Sequence, residues 1–133
     1  MSFFDQLGAL FAKYDVLGAF WVNIQLTFLA AIGSFVLGAI LALMRISPVP
    51  SLRWAGTIYV HLFRNTPLTI LMTLALLGVW TQFQLSFSTD FETNFFVYAV
   101  IVLSIYHASF VCEAIRSGVN TVPTGQAEAA RAI

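Results

Sequence analysis

From Leu17 to Met44 the chain reads LGAFWVNIQLTFLAAIGSFVLGAILALM, a run of 28 residues without a charged side chain that lies between Asp15 and Arg45. A helix needs about 20 residues to cross a hydrocarbon core of roughly 30 Å, so this run predicts a membrane-spanning helix. The segment before it holds one lysine and two aspartates, and the run exceeds the about 7–15 apolar residues of a signal peptide. We therefore expect this helix to remain in the mature protein.

The composition of the whole chain also indicates an integral membrane protein. Hydrophobic residues make up 59% of the 133 residues and charged residues only 9%, with a mean hydropathy of +0.88. Six basic residues balance six acidic ones, which leaves no basic face for a nucleic-acid backbone. One cysteine cannot form an internal disulfide, and His61, His107 and Cys112 lack the spacing of metal ligands. Nucleic-acid binding, a disulfide scaffold and a zinc module are thereby excluded.

A second helix is predicted from about Trp54 to Trp80, with Arg64 inside it. Proline lacks an N–H and clashes with the preceding turn, so Pro67 should kink or interrupt this helix. Arg64 lies 11 residues past Arg53, which is roughly 16 Å along the helix axis from the inner boundary. A charge at such a depth costs about 2.5–3.5 kcal/mol and usually pairs with another group or lines a pathway. Arg64 therefore needs a partner.

Glu113 is the expected partner of Arg64, because both residues lie toward the inner half of the membrane. Together with Asn65 and Thr66 at the proline break, Arg64 is predicted to face a pathway or a helix interface. An alternative stays open for Glu113, which lies one turn from Arg116 on the third helix and could form a local ion pair there.

A polar loop and a third helix complete the chain. Residues 81–94, TQFQLSFSTDFETN, contain two acids and no base, which predicts a loop outside the membrane. The uncharged run from Thr93 to Cys112 predicts a further spanning helix, which continues toward Pro123. The remaining tail, TVPTGQAEAARAI, is predicted to form a turn and a short helix.

The positions of lysine and arginine predict the orientation, since cytoplasmic loops carry the excess of positive charge. The loop RISPVPSLR holds Arg45 and Arg53, the segment after the third helix holds Arg116 and Arg131, and the polar loop holds no base. Three spans then place the N-terminus outside, with one lysine before the first helix as a contrary sign. The predicted fold is a single all-α domain over residues 1–133, a polytopic transmembrane bundle of three spanning helices and a short cytoplasmic helix.

One stripe of the first helix is predicted to pack against protein. Small and hydrogen-bonding residues at steps of three or four let helix backbones approach closely inside a membrane. The residues of this stripe are Asn23, Thr27, Ala30, Ser34, Gly38 and Ala42.

Three stretches together resemble the membrane subunit of bacterial ATP-binding-cassette importers of the polar amino-acid uptake family. Their amino-acid sequences are most similar to those of glutamate-type systems. The first, TFLAAIGSFVLGAILALMRIS (27–47), resembles the family's first conserved helix. The second, FRNTPLTIL (63–71), resembles its Arg-Gly/Asn-Thr-Pro-Leu signature. The third, EAIRSGVNTVPTGQAEAARAI (113–133), resembles the run into its cytoplasmic Glu-Ala-Ala loop.

The resemblance implies a role for the tail as a coupling helix that docks in a groove of a cytoplasmic ATPase. Glu128, Ala129 and Ala130 would be the contact residues, with Gly125 just before them. Two alanines allow close docking, and one carboxylate can meet a basic side chain of the groove.

The resemblance also implies the partners and the location. ATP would be bound by the separate cytoplasmic subunit, so the chain would need no cofactor of its own and would not be an enzyme. The expected partners are that ATP-binding subunit, a second permease subunit in a homo- or heterodimer, an extracytoplasmic solute-binding protein and an amino-acid substrate. The expected location is the lipid bilayer of the bacterial plasma (inner) membrane, crossed several times.

In one respect the chain departs from the family pattern. That pattern continues beyond Ile133 with a glycine and two further transmembrane helices, so the 133 residues are expected to be a fragment of a longer permease or a truncated product. A second hypothesis stays open, namely a small three-helix membrane interaction protein that couples to no ATPase.

Overall fold

The computed structural model describes residues 2–132, and every regular element in that part of the chain is a helix. The elements are α1 (Phe3–Lys13), α2 (Val16–Ile46), α3 (Pro50–Arg64), α4 (Leu68–Thr73) with a π-helical continuation (Leu74–Gln82), α5 (Phe91–Asn120) and α6 (Thr124–Arg131). α2 and α5 are each long and apolar enough to cross a membrane, and α3 with α4 adds a third crossing if the bent pair is one span. A polytopic helical bundle is thus confirmed, whereas three spans with an outward N-terminus stay a prediction.

α2 and α5 form the centre of the fold, and small residues let them lie close together. Ala30, Ser34, Gly38 and Ala42 of the predicted stripe are buried, as expected for a packing face. A Cβ atom added at Gly38 would lie 2.6 Å from Val111 Cβ and 3.0 Å from the Ala108 carbonyl oxygen. Such distances leave no room for a side chain, so the two backbones are in direct contact at this level.

The N-terminal part of the same stripe does not pack against another helix within residues 2–132. Asn23 and Thr27 are exposed, although they continue the periodicity of the buried residues. The Thr27 hydroxyl donates instead to the carbonyl oxygen of Asn23 at 2.8 Å, one turn earlier in the helix. The predicted stripe is therefore confirmed only over its last four members.

The second hydrophobic segment is broken, because Pro67 interrupts it as predicted. α3 ends at Arg64 and α4 begins after Pro67, and the two helix axes differ in direction by 97°. The prediction that Pro67 kinks or interrupts the helix from about Trp54 to Trp80 is therefore confirmed. Proline can neither donate the missing hydrogen bond nor allow the preceding residue to stay helical, so the chain turns here.

The loop after the π-helical segment is held against the start of α5. Asn94 is buried, and its Oδ1 accepts hydrogen bonds from the backbone N–H groups of Phe87 at 2.8 Å and Ser88 at 3.3 Å. Asp90 caps α5 by accepting from the hydroxyl and the backbone N–H of Thr93, and these two bonds lower the pKa of its carboxyl. The loop is consequently shorter than the predicted 81–94, because α5 begins directly after its cap.

Two helices lie at the ends of the described chain. α1 was not expected from the sequence, and its signal is a capping box in which Ser2 and Asp5 satisfy each other's backbone N–H groups. α6 begins after Pro123, as predicted, and its residues are exposed along its whole length.

Candidate functional site

An ion pair joins the last turn of α2 to α5, two turns before α5 ends. Arg45 Nη1 donates to Glu113 Oε1, and the two side chains are 8% and 29% exposed. The expected pairing of Glu113 with Arg64 is therefore wrong, and so is the alternative of a local pair with Arg116. The physical reason is the close packing of α2 on α5, which brings the last turn of α2 beside Glu113. The available sequence signal was that both residues end long uncharged runs at the same boundary.

Arg64 lies on the surface of the described chain, at the last residue of α3. Its guanidinium carbon lies 5.5 Å from the centre of the Phe110 ring on α5, which is a cation–π contact. No ion pair of Arg64 occurs among residues 2–132. The neighbouring Asn65 is exposed, and half-buried Thr66 donates its hydroxyl to the Leu62 carbonyl oxygen at 2.8 Å. The break thus presents a cation and an amide together.

A groove between α2 and α5 lies beside this break. Its volume is about 440 Å³, and Phe110 belongs both to its lining and to the cation–π contact of Arg64. His107 lines the groove and is exposed, with its Nδ1 2.9 Å from the Leu103 carbonyl oxygen. If Nδ1 carries the proton in that bond, Nε2 is left as an acceptor. The other lining residues are Thr27, Ala30, Ala31, Ser34, Leu103 and Val111.

The predicted coupling residues all lie on α6. Gly125, Glu128, Ala129 and Ala130 are exposed, and a Cβ atom added at Gly125 would meet nothing within 4 Å. The helix joins α5 through residues 121–123, where the Thr121 hydroxyl donates to the Gly118 carbonyl oxygen at 2.6 Å. α6 is therefore a short exposed helix directly attached to a long apolar one.

These features define a class of protein, namely an integral membrane protein whose polar groups gather at a break in an apolar segment. Comparison with known proteins gives the family. Residues 15–133 match the family described as "Binding-protein-dependent transport system inner membrane component", and the chain belongs to that family. Members of this family are permease subunits of ABC transporters and are not themselves enzymes.

The chain is similar to several amino-acid permeases. It is 46% identical over 124 residues to the glutamate transport system permease protein GluC of Corynebacterium efficiens. The aligned region covers 90% of this chain and 54% of that relative. The chain is 36% identical over 112 residues to the probable glutamine ABC transporter permease protein GlnM of Bacillus subtilis, covering 84% of this chain and 49% of the relative. The resemblance to amino-acid permeases that the three motifs indicated is confirmed.

A solved structure described as an amino acid ABC transporter with histidines has a similar fold. The TM-score is 0.78 at 27% sequence identity, over 99% of this chain and 57% of that one. This chain thus spans about half the length of the proteins it matches.

Proposed function

We propose that this chain is part of the membrane permease subunit of an ATP-driven amino-acid importer in the bacterial inner membrane. The match to the family over residues 15–133 carries this proposal, and the printed names of the relatives favour an amino acid as the substrate. ATP is then bound and hydrolysed by a separate cytoplasmic subunit. A second permease subunit completes the pathway, and an extracytoplasmic binding protein delivers the substrate.

In this proposal α6 transmits the movement of the ATPase to the membrane helices. Its exposure along the whole length leaves it available for a partner, and its two alanines permit close contact. Glu128 supplies one charge-assisted hydrogen bond, worth about 1.5–3 kcal/mol when desolvated. Only residues 121–123 separate α6 from α5, so a displacement of α6 is passed to α5 through a short connection.

The test of this coupling is Glu128→Lys in the full-length permease, expressed with its ATPase subunit. We expect co-purification of the ATPase to fall about tenfold or more, because one contact worth more than about 1.4 kcal/mol is lost and a repulsion is added. Glu92→Lys makes the same charge change at exposed Glu92 in the first turn of α5 and serves as the control. Equal recovery of ATPase with both variants would refute the role of α6.

The substrate pathway is proposed to pass the break between α3 and α4. Arg64 supports this proposal, because a cation held over one aromatic ring remains able to meet an anionic group, and every amino acid carries a carboxylate. Asn65 offers an amide at the same place, and the groove with His107 begins across the Phe110 ring. The names of the relatives favour glutamate as the substrate. Glutamate carries a second carboxylate, so a site that binds it needs cationic side chains such as Arg64.

Arg64→Ala in the full-length transporter is expected to lower substrate uptake by about tenfold or more, since a charge-assisted bond to the carboxylate contributes about 1.5–3 kcal/mol. Arg64→Lys keeps the charge and should retain part of the uptake. Uptake is measured in vesicles that contain the permease, its ATPase and the binding protein. Wild-type uptake by the alanine variant, at equal protein in the membrane, would remove Arg64 from the pathway.

The alternative function, a small membrane interaction protein without transport, predicts a different result. Such a protein would not retain an ATPase on purification, with or without the Glu128 substitution. The wild-type co-purification therefore separates the two functions before any variant is made.

A further inference from the structure

A cavity lined mainly by polar residues lies at the end of the bundle opposite the polar loop. Its volume is about 340 Å³, and it opens between the last turn of α2, the first turns of α3 and the last turns of α5. Three of its six lining residues are arginines. The lining residues are Arg45, Pro50, Arg53, Trp54, Thr57 and Arg116.

The charge of this cavity is only partly neutralised within the described residues. Glu113 pairs with Arg45, which leaves the charges of Arg53 and Arg116 without an acidic partner among residues 2–132. The Arg45 side chain is only 8% exposed, and its Nε–H has no hydrogen-bond partner there. Arg53 and Arg116 therefore leave the cavity with positive charge and with guanidinium donors for an anion.

The start of α3 adds donors beside the arginines. α3 begins at Pro50 after Val49, whose side chain provides no cap, and the first backbone bond is donated by Arg53 to the Val49 carbonyl oxygen. The backbone N–H groups of residues 51 and 52 precede that bond and are the usual unsatisfied donors of a helix N-terminus. A helix start next to a cluster of arginines is a favourable place for a phosphate group.

Trp54 indicates that this cavity lies at the membrane surface. Its side chain is 72% exposed, and tryptophan is enriched at the level of the lipid headgroups. The long apolar helix α2 ends at Ile46, beside this cavity, while α5 continues past it to Asn120. A lipid held in the bilayer by its acyl chains would therefore bring its headgroup to the cavity, whereas a free anion would have to enter from dilute solution.

From this placement we propose that the cavity binds the phosphate of an anionic phospholipid headgroup, such as phosphatidylglycerol. Arg53 and Arg116 contact the phosphate oxygens, the start of α3 adds backbone donors, and the acyl chains lie along the apolar surfaces of α2 and α5. The site holds the short α2–α3 connection against the end of α5. It requires only a membrane location and does not depend on transport.

The experiment compares lipids retained by the full-length permease. The protein is reconstituted in vesicles of equal parts phosphatidylcholine and phosphatidylglycerol, extracted in mild detergent, and examined by native mass spectrometry for bound lipid. We expect bound phosphatidylglycerol to exceed phosphatidylcholine. Each arginine near an anionic surface contributes about 1 kcal/mol, so Arg53→Gln with Arg116→Gln should reduce the preference roughly 20–30-fold.

Matched variants and added phosphate make the result specific. Arg53→Lys with Arg116→Lys keeps both charges and should lose far less of the preference for phosphatidylglycerol. Lys13→Gln removes a cation in the last turn of α1, away from the cavity, and should leave that preference unchanged. Inorganic phosphate added during extraction should leave the lipid bound, because the acyl chains anchor it.

Three results would overturn the proposal. Displacement of the lipid by inorganic phosphate would show a site for free phosphate. Equal retention of both lipids by the wild type would show that the cavity is filled by protein, for example by an acidic side chain of a partner subunit. An unchanged preference in the double glutamine variant would place the lipid elsewhere.

Discussion

The ion pair between Arg45 and Glu113 has an asymmetry that a mutational cycle can measure. Arg45 is 8% exposed and Glu113 is 29% exposed, so the arginine is the partner that water reaches least. Glu113→Leu leaves a buried cation whose Nε–H already lacks a partner, and removal of one member of a buried pair costs about 3–5 kcal/mol. Arg45→Met leaves a carboxylate that is partly in water and one turn from Arg116. We expect that variant to cost about 1–2 kcal/mol.

The double variant should cost much less than the sum of the two single changes. Apolar residues of similar size in place of a buried pair are often neutral, so we expect Arg45→Met with Glu113→Leu to lie within about 1 kcal/mol of the wild type. The free energy of unfolding is measured on the full-length permease by denaturant titration in mixed micelles. Arg131→Met, at an exposed arginine in the last turn of α6, is the control and should change that free energy by at most about 0.5 kcal/mol.

Two comparisons test the predicted ion pair: which single variant loses more free energy of unfolding, and whether the two losses add in the double variant. If Glu113→Leu costs less than Arg45→Met, burial of the arginine does not set the free energy lost when the pair is broken. If the two costs add to within about 0.5 kcal/mol in the double variant, the side chains do not interact and the pairing is refuted.

Two further predictions concern packing and topology. Gly38→Ala places a methyl group 2.6 Å from Val111 Cβ and should lower the free energy of unfolding by about 1–3 kcal/mol. The control is Gly8→Ala, whose added methyl group meets nothing within 4 Å and should not destabilise the protein. Equal effects of the two variants in denaturant titration would contradict the contact between α2 and α5. Cysteines introduced at Ser51 and Thr124 should label only from the cytoplasm and one at Thr89 only from outside, by the distribution of arginine. Cytoplasmic labelling at Thr89 would mean that the bent pair of α3 and α4 re-enters the membrane on one side.

The parts of the fold that sequence predicts well are those set by local chemistry. The uncharged run between Asp15 and Arg45 defines α2 almost to the residue, since a membrane span is the element that needs such a length of apolar helix. Pro67 interrupts the second segment because its ring acts on the adjoining turn whatever the surroundings. Small residues at steps of four mark a packing face because they let two backbones approach closely.

The parts that sequence predicts poorly depend on which helices are neighbours. Arg45 and Glu113 lie 68 residues apart, and only the packing of α2 on α5 brings them together. The depth predicted from the sequence puts Arg64 and Glu113 in the same half of the membrane, but depth does not say which side of a helix a residue faces. Likewise, proline predicts that the helix breaks but does not predict the bend angle, which is 97° here.

Arg45 and Arg64 differ in the groups that surround them. Arg45 has a carboxylate and is almost wholly buried, so its cost is met within this part of the chain. Arg64 lies over the Phe110 ring and forms no ion pair among residues 2–132. Glu113, the acidic residue whose charge acts on Arg64, is already paired with Arg45. A cation–π contact contributes about 0.5–2 kcal/mol, less than the roughly 2.5–3.5 kcal/mol that a central arginine costs. We therefore expect Arg64 to meet a further anion, either a substrate carboxylate, as proposed above, or an acidic side chain elsewhere in the permease. The uptake of Arg64→Ala distinguishes these sources when it is compared with its stability, because loss of a structural partner lowers both and loss of a substrate contact lowers uptake alone.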